Sequence, residues 1–278
     1  MGIRTTRLLR STIVYLLLIL ISVVVLFPIF HVAMTSIKFP VDAFSMPPKW
    51  IFKPTLQHHI HIWIKQPFFK YLINTLVIAF GTVGISVPIA SLAAYGFVRQ
   101  PGRQVVVFVI LLLLLAIRMF PQMLLVIPYF MIAKTLRLQD TRIIMILIMV
   151  AFNQPFSIWL MRGFFLGVPR ELDEAAVIDG CSRLGALIRV IIPVVAPGIA
   201  TTAIFSFLLA YNNFLFPLIL TGTDAKTLPV AIAEYGAENI KYWSISAAGV
   251  TGVIIPIIII MLFLQKHFVR GLTSGALK

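Results

Sequence analysis

The chain has 278 residues, of which 60% are hydrophobic and only 12% are charged, and its mean hydropathy is +1.02. Soluble domains carry about 25% charged residues, so this composition excludes an ordinary soluble protein and predicts an integral membrane protein. The formal net charge is +14, but the basic residues flank apolar runs, so lipid headgroups explain them better than nucleic acid does.

The N-terminal stretch predicts a first membrane span that is not cleaved. Basic residues Arg4, Arg7 and Arg10 precede an apolar run from Ile13 to about Met34, which is long enough to cross a bilayer. This start imitates a signal peptide. However, the run is long and no cleavage site of small residues follows it, so we expect the segment to remain as a helix.

A polar loop over residues 35–70 follows, and it contains three closely spaced histidines. His58 and His61 would share a helix face, with His59 beside them. No cysteine or carboxylate lies near enough in the sequence to complete a metal site. The loop therefore predicts no metal site, only exposed imidazoles.

The rest of the chain predicts five more membrane-spanning helices. Continuous apolar runs indicate helices, since a lipid-exposed backbone must satisfy its own hydrogen bonds. The predicted spans cover about Tyr71–Tyr95, Val105–Ala133 (through Pro121 and Pro128), Ile143–Phe165, Gly198–Leu220 and Ser244–Phe268. The predicted fold class is thus all-α, with six transmembrane helices.

One loop, Glu171–Pro197, contains four of the nine acidic residues of the chain. Charged side chains cost about 2.5–3.5 kcal/mol each at the centre of a membrane helix, so this segment must lie in water. Pro169 suits the first position of a helix, and Gly180 suits its C-terminal end. Ser182 is a good N-cap for a second helix, predicted to run to Ile192. We expect a helix–turn–helix that presents a docking surface.

The same loop carries a family resemblance. Glu174-Ala175-Ala176, then Asp179-Gly180, and finally Val190-x-Ile192-Pro193 resemble the EAA loop of ATP-binding-cassette importer permeases. In that family the loop is cytoplasmic and its short helix sits in a cleft on the ATPase subunit. The resemblance implies that ATPase coupling involves Glu174, Ala175, Ala176, Asp179, Gly180 and Pro193. Val190 departs mildly from the isoleucine usual at its position.

Two flanking segments and the C-terminus resemble the carbohydrate-uptake branch of these permeases. The segments are Ile158–Phe165 and Tyr211–Leu218, although tryptophan is commoner than tyrosine at position 211 and an acid is common at position 213. The last ten residues, 269–278, are similar to the tail of the maltose-type second permease, which reaches the ATPase dimer interface. The implied ATPase contacts of the tail are Gly271, Thr273, Ser274 and Gly275.

The predicted spans contain no Asp or Glu, whereas a proton- or sodium-coupled carrier usually places ionisable groups at the midplane. Arg118 is the one charged candidate at helix depth. It either lines the solute path, or it snorkels or binds carbonyls freed by Pro121. The other polar candidates for the path are Asn153, Tyr211, Asn212 and Asn213, among which Asn153 also suits a contact between helices.

The resemblance implies a permease subunit of an ATP-driven, binding-protein-dependent importer for a sugar or substituted sugar. It implies three kinds of partner besides membrane lipid: a second permease in a heterodimer, two ATPase subunits and a soluble substrate-binding protein. ATP and magnesium would bind to the ATPases, because this chain lacks a phosphate-binding Gly-rich Lys motif and needs no cofactor of its own. We expect a bacterial inner membrane location with both termini cytoplasmic, and no nucleic-acid partner.

The predicted organisation has three parts: residues 1–70 with the first span and an outer loop, 71–268 as the importer domain with the coupling loop 166–197, and the tail 269–278. Counting Lys and Arg on the two sides does not decide the orientation. A secondary carrier or channel for a small polar solute is the alternative function. A scaffold that recruits a soluble partner through the polar loop is a third.

Overall fold

A computed structural model of the chain describes residues 2–100, 102, 104–238 and 242–274. Within these ranges every regular element is a helix. Among the described residues, four helices are long and apolar enough to cross a membrane: Leu9–Ser36, Phe68–Arg99, Arg142–Leu166 and Trp243–Phe263. Two more pairs of helices, bent by 93° and 80° at short breaks, raise the number to six if each pair counts as one span. The prediction of an all-α membrane fold is confirmed.

The helices are numbered along the chain as follows. The first seven are α1 Gly2–Ser36, α2 Pro40–Ala43, α3 Gln57–Ile60, α4 Phe68–Arg99, α5 Gln104–Met119, α6 Gln122–Thr135 and α7 Arg142–Leu166. They are followed by α8 Glu171–Ile178, α9 Arg183–Ala186, α10 Ile192–Val194, α11 Ala196–Tyr211, α12 Leu215–Leu220, α13 Leu228–Glu238 and α14 Trp243–Ser274. Two π-helical turns, His61–Lys65 and Leu187–Ile191, continue α3 and α9.

The chain divides into two compact units. The first contains the residues up to Phe69 together with Ile232–Ile255, and the second contains Lys70–Ala231 with the residues from Pro256 onward. The two units do not follow the order of the chain, since residues 232–255 belong to the first unit. The predicted division of the chain at residue 70 remains a prediction.

In the first unit, the polar loop is organised around the end of α1. Lys38 is buried, and its ammonium donates to the Lys49 carbonyl at 2.7 Å. A ring nitrogen of His58 lies 3.0 Å from the Lys38 carbonyl, and one of His59 lies 3.1 Å from the Ser36 hydroxyl. Burial lowers the pKa of both imidazoles. These two histidines therefore serve the fold of the loop, and His58 is buried rather than exposed as expected.

In the second unit, one apolar core joins α4, α5 and α7 to the loop that follows α7. Small residues of α4 allow close packing there, and Met161 and Phe165 of α7 are fully buried against them. The buried members are Ala90, Ala94, Val98, Val107, Leu111, Ile158, Met161, Phe165, Val168, Leu187, Ile191 and Val195. This core fixes one end of α4 against the acidic loop.

The third predicted span, Val105–Ala133, is not one straight helix. The chain turns between α5 and α6 at Phe120 and Pro121, and the two helices are bent by 93°. Pro121 has no N–H to continue the hydrogen bonding of α5, and its ring restricts the preceding turn. Its ψ of 126° is not helical, so α6 starts afresh at Gln122.

The fifth predicted span, Gly198–Leu220, is also interrupted. Helix α11 ends at Tyr211, and α12 starts at Leu215. Asn213 causes part of this break, because its side-chain oxygen accepts the N–H of Phe216 at 3.2 Å and caps the new helix. Asparagine favours such local bonds over a continuous helix. At the C-terminus, α14 continues to Ser274, so residues 269–274 of the predicted tail are helical.

Close contact between α7 and α11 depends on Gly198. A Cβ atom built at this position would lie 2.3 Å from Cγ of Phe164. We expect Gly198→Val to lower the free energy of unfolding by about 1–3 kcal/mol, the usual cost of overpacking. Thermal unfolding of the purified protein measures this.

Gly163→Val is the matched control, since a Cβ atom at Gly163 meets nothing within 4 Å. Equal unfolding midpoints for the two variants would contradict the close packing of α7 against α11.

Candidate coupling surface and solute path

The acidic loop forms the predicted helix–turn–helix. Helix α8 places three acids in its first turn, where the helix dipole favours negative charge. Gly180 follows with a φ of +87°, a conformation that costs glycine little and other residues much. The Ser182 hydroxyl then accepts the N–H of Gly185 at 3.1 Å and caps α9. Both capping predictions are confirmed.

Two details of the loop prediction are wrong. Pro169 precedes the N-cap residue Arg170 instead of occupying the first helical position. The second helix does not stop before Pro193, because the π-helical turn leads into α10, where Pro193 is the second residue. A proline is tolerated there because the first N–H groups of a helix have no partner within the helix.

This helix–turn–helix, residues 171–194, presents apolar side chains among charged ones, and we call it the coupling surface. Ile178 is 85% exposed, and Leu184 and Ile188 are more than half exposed. An exposed apolar patch with a charged rim marks a site of protein interaction. Of the residues predicted to couple to an ATPase, Ala176 is buried in the fold, and the others are exposed: Glu174, Ala175, Asp179, Gly180 and Pro193.

The coupling surface is attached to the C-terminal end of α4 by side chains that the sequence reasoning did not single out. Asp173 accepts a hydrogen bond from the Tyr95 hydroxyl at 2.5 Å, and its other oxygen lies 2.7 Å from a guanidinium nitrogen of Arg99. Arg99 also donates to the Val168 carbonyl at 3.2 Å. The signal available in the sequence was only that Asp173 is an acid within a charged loop.

Arg118 is half-buried, and its guanidinium group is engaged. One nitrogen donates to the Phe152 carbonyl at 3.0 Å, and the group lies 4.4 Å from the Phe152 ring centre and 5.8 Å from that of Phe156. Cations are attracted to aromatic faces at such distances. The structure therefore favours the interpretation that Arg118 binds a carbonyl, although the carbonyl belongs to α7 and is not one freed by Pro121.

The four uncharged candidates for the solute path lie in different environments. Asn153 is fully buried and donates to the carbonyl of Ser206 at 3.1 Å, which joins α7 to α11. Tyr211 is fully buried, and its ring stacks on that of Phe207. Asn213 is buried and caps α12, whereas Asn212 is exposed. Of these four side chains, that of Asn212 alone is exposed.

At the N-terminal end of α4 lies a second polar cluster, which sequence reasoning missed. Asp140 lies between α6 and α7 with a φ of +53°. Its carboxylate accepts the backbone N–H groups of Gly222, Asp224 and Ala225 at 2.8–2.9 Å. Burial would raise the pKa of Asp140, but these backbone hydrogen bonds outweigh it and lower the pKa. We call Asp140 and the loop 221–227 the Asp140 cluster.

A family comparison decides what kind of protein carries this surface. Residues 86–274 match the family described as binding-protein-dependent transport system inner membrane component. The chain belongs to this family. The prediction of an importer permease is confirmed, and members of this family are permease subunits that are not themselves ATPases.

Similar proteins cover almost the whole chain. It is 35% identical over 275 residues to the probable ABC transporter permease protein y4oR of Sinorhizobium fredii, with 99% of this chain and 97% of that one covered. It is 37% identical to the trehalose/maltose transport system permease protein MalG of Thermococcus litoralis, with 94% of each chain covered. It is 33% identical to the sulfoquinovosyl glycerol transport system permease protein SmoH of Agrobacterium fabrum, covering 91% and 89%.

Two solved structures share the fold. A chain of a bacterial ABC transporter that imports the acidic polysaccharide alginate matches with a TM-score of 0.75 and 23% identity, covering 96% of this chain and 99% of that one. The bacterial alginate transporter in complex with its alginate pentasaccharide-bound periplasmic protein matches with a TM-score of 0.64 and 16% identity, covering 93% and 94%. At this identity the likeness shows the fold alone.

The Asp140 cluster predicts a pH dependence. Because the folded-state pKa is lowered, the ionised carboxylate stabilises the loop above the ordinary aspartate pKa of about 4. This contribution is lost as the pH falls through the lowered folded-state pKa. At neutral pH we expect Asp140→Asn to speed amide hydrogen exchange in peptides covering 221–228 by about tenfold or more. The reason is that the asparagine side chain is uncharged, and its NH2 group stands where one carboxylate oxygen accepted a backbone N–H.

Asp224→Asn is the control for this substitution. The Asp224 side chain is 80% exposed and pairs with Lys70 at 3.0 Å, and exposed ion pairs contribute little. If both variants exchanged equally fast, the Asp140 carboxylate would not be what holds the loop.

Proposed function

We propose that the chain is the sugar-importing permease subunit of an ATP-driven transporter, with the coupling surface as its contact with an ATPase. The observation that carries this proposal is the exposed helix–turn–helix at 171–194 in a chain of the binding-protein-dependent family. An exposed apolar patch with charged neighbours is typical of a surface that a soluble partner covers. An ATPase with a cleft of matching shape fits that requirement.

A sugar or a substituted sugar is the proposed solute. Relatives that cover most of this chain are named for trehalose and maltose and for sulfoquinovosyl glycerol. The exposed amide of Asn212 offers both a donor and an acceptor, which suits a solute rich in hydroxyl groups. The guanidinium of Arg118 is already engaged by α7, so we do not assign it a direct contact with the solute.

The proposed assembly contains this chain, a second permease, two ATPases and a soluble binding protein on the outer side. A periplasmic protein bound to the related alginate transporter supports the last of these. ATP and magnesium would bind to the ATPases. The coupling surface and both termini would then face the cytoplasm. Contacts of the tail residues Gly271, Thr273, Ser274 and Gly275 with the ATPases remain part of this proposal, and Gly275 lies outside the described residues.

The proposed mechanism uses the coupling surface as a lever. When ATP draws the two ATPases together, residues 171–193 move with them. The spans change from an inward-facing to an outward-facing arrangement, and the binding protein releases its sugar into the path. Such a change needs a partner that binds the two arrangements with different affinity, which nucleotide-dependent ATPases provide.

Gentle purification of a tagged copy from its native membrane, followed by mass spectrometry, tests this proposal. We expect an ATPase and a second permease to be recovered with the chain, and ATP hydrolysis by the purified complex. The accompanying binding protein can then be screened against trehalose, maltose and sulfated or sulfonated sugars. Recovery of the chain alone, with solute flux in vesicles that needs no ATP, would instead support a secondary carrier.

The role of the coupling surface is tested by Glu174→Lys. The Glu174 side chain is exposed, so reversing its charge should leave the helices folded. We expect the amount of ATPase retained on the complex to fall about tenfold, which corresponds to ~1.4 kcal/mol of binding free energy. Quantitative mass spectrometry of the purified complex measures it.

Gly180 offers a matched pair of variants for the same surface. Gly180→Ala and Gly180→Trp both place a side chain at a positive φ, so they share the backbone strain. Only tryptophan adds bulk toward a partner. A larger loss of ATPase from Gly180→Trp than from Gly180→Ala supports docking at this position, and equal losses argue against it.

A further inference from the structure

Helix α4 is bonded to a different segment at each of its two ends. Its C-terminal end contacts the coupling surface through Tyr95 and Arg99. Its N-terminal end contacts the segment that follows α12 through Asn74 and Thr75. All of these residues belong to the second compact unit. A single helix therefore connects two polar sites that are far apart.

At the coupling end, the contact is shielded from water. The side chains of Asp173 and Arg99 are only 15% and 14% exposed. One oxygen of the Asp173 carboxylate accepts a hydrogen bond from the Tyr95 hydroxyl, and the other lies next to the Arg99 guanidinium. Hydrogen bonds to an ionised group are shorter and stronger than neutral ones, and low exposure reduces screening by salt.

Further hydrogen bonds to backbone carbonyls link α4 with the segment just before α8. Arg99 donates to the Val168 carbonyl just before α8, and Arg170 donates back to the Val98 carbonyl of α4 at 3.3 Å. The Tyr95 ring also packs edge-on against Phe165, with ring centres 5.8 Å apart. Helix α8 therefore cannot move away from α4 without breaking several bonds at once.

Between its ends, α4 spans a length that matches a membrane. The 21 residue steps from Asn74 to Tyr95 correspond to about 32 Å at 1.5 Å per residue, and the hydrocarbon core is about 30 Å thick. The middle of α4 is braced by α7, since the Gln154 amide donates to the Ser86 carbonyl at 3.4 Å. Pro88 lies inside α4 and removes one of its backbone hydrogen bonds, but the helix continues unbroken from Phe68 to Arg99.

At the far end, Asn74 is fully buried and holds two backbone carbonyls. Its amide donates to Asp224 at 2.8 Å and to Lys226 at 2.9 Å, and its oxygen accepts from Arg142 at 2.7 Å. The Thr75 hydroxyl accepts the N–H of Leu228 at 2.9 Å. Any shift of this end of α4 must therefore move or release the segment 224–228, which also belongs in part to the Asp140 cluster.

We propose that α4 carries the movement of the coupling surface across the membrane to the segment 221–228, with Asp173 as the joint. This inference rests on the proposed function, because an ATPase must supply the movement. Tyr95, Arg99 and Asp173 are positioning residues in this mechanism, since they contact neither solute nor nucleotide. Energetic coupling between distant sites requires a contiguous element with two arrangements, and α4 supplies the contiguous element.

Amide hydrogen exchange on the whole purified complex tests this proposal, with and without MgATP and vanadate. In the unmodified complex, trapping should change exchange both in peptides from the coupling loop, 166–197, and in peptides covering 221–228. In Asp173→Asn the coupling-loop change should persist. The change at 221–228 should fall about two- to thirtyfold, the range in which residues on a coupling route alter coupling.

Two more variants make the test specific. Tyr95→Phe keeps the ring against Phe165 and removes only the hydroxyl, so it should reproduce the loss at 221–228 in milder form. Lys53→Gln removes an exposed charge that lies outside both the coupling surface and the segment 221–228, and it should leave both changes intact. A purely structural role for Asp173 predicts lower thermal stability with the response at 221–228 unaltered.

The outcomes separate failure of this inference from failure of the proposed function. If the unmodified complex lacks an ATPase or does not respond to MgATP and vanadate, the proposed function fails. If the unmodified complex responds, and the Asp173→Asn and Tyr95→Phe complexes show the same change at 221–228, the proposed function stands. The proposal that Asp173 passes the movement to α4 is then contradicted. If Asp173→Asn does not assemble, Tyr95→Phe decides alone.

Discussion

The structure depends above all on one constraint of the bilayer: each backbone N–H and C=O group that enters it must find a partner inside the protein. Long helices such as α4 and α7 meet this requirement by themselves. Where a helix is broken, side chains must supply the missing partners. Asn213 does so at the start of α12, by accepting the N–H of Phe216. The broken spans are therefore places where polar residues within the membrane have a structural role.

The same constraint explains why polar side chains at helix depth are poor indicators of a solute path by themselves. Arg118 and Asn153 both stood out in the sequence because polar groups in lipid are costly. In the fold, Arg118 binds a carbonyl of α7 and Asn153 bonds across to α11. Each therefore donates to a neighbouring helix of the same chain, which is what a structural role requires. Accessibility, not polarity, singles out Asn212.

Charge has a different function at the two ends of α4. At one end, the nearly buried ion pair between Arg99 and Asp173 attaches α8 to α4, while Glu171 and Glu174 of α8 remain exposed. At the other end, the Asp140 carboxylate replaces the missing backbone partners of a loop that has no regular structure. In both clusters an aspartate organises backbone or side-chain donors that come from distant parts of the sequence. The helix between them is largely apolar, as its passage through lipid requires.

The sequence alone determined the features that depend on composition and on neighbouring residues. An apolar composition implies membrane helices, and local capping rules located the turn at Gly180 and the start of α9 at Ser182, because their partners lie within a few residues. The resemblance of Glu174-Ala175-Ala176 and the residues after it identified the family.

Only the tertiary structure showed which residues act together over long distances. Tyr95 and Asp173 are 78 positions apart, and Asp140 and Ala225 are 85 apart. No periodicity or local motif encodes such a pairing. The bend at Pro121 and the interruption at residues 212–214 were also decided by the fold, because a proline or an asparagine within an apolar run permits a break but does not require one. At the second of these breaks, the Asn213 side chain supplies a partner for the backbone N–H of Phe216.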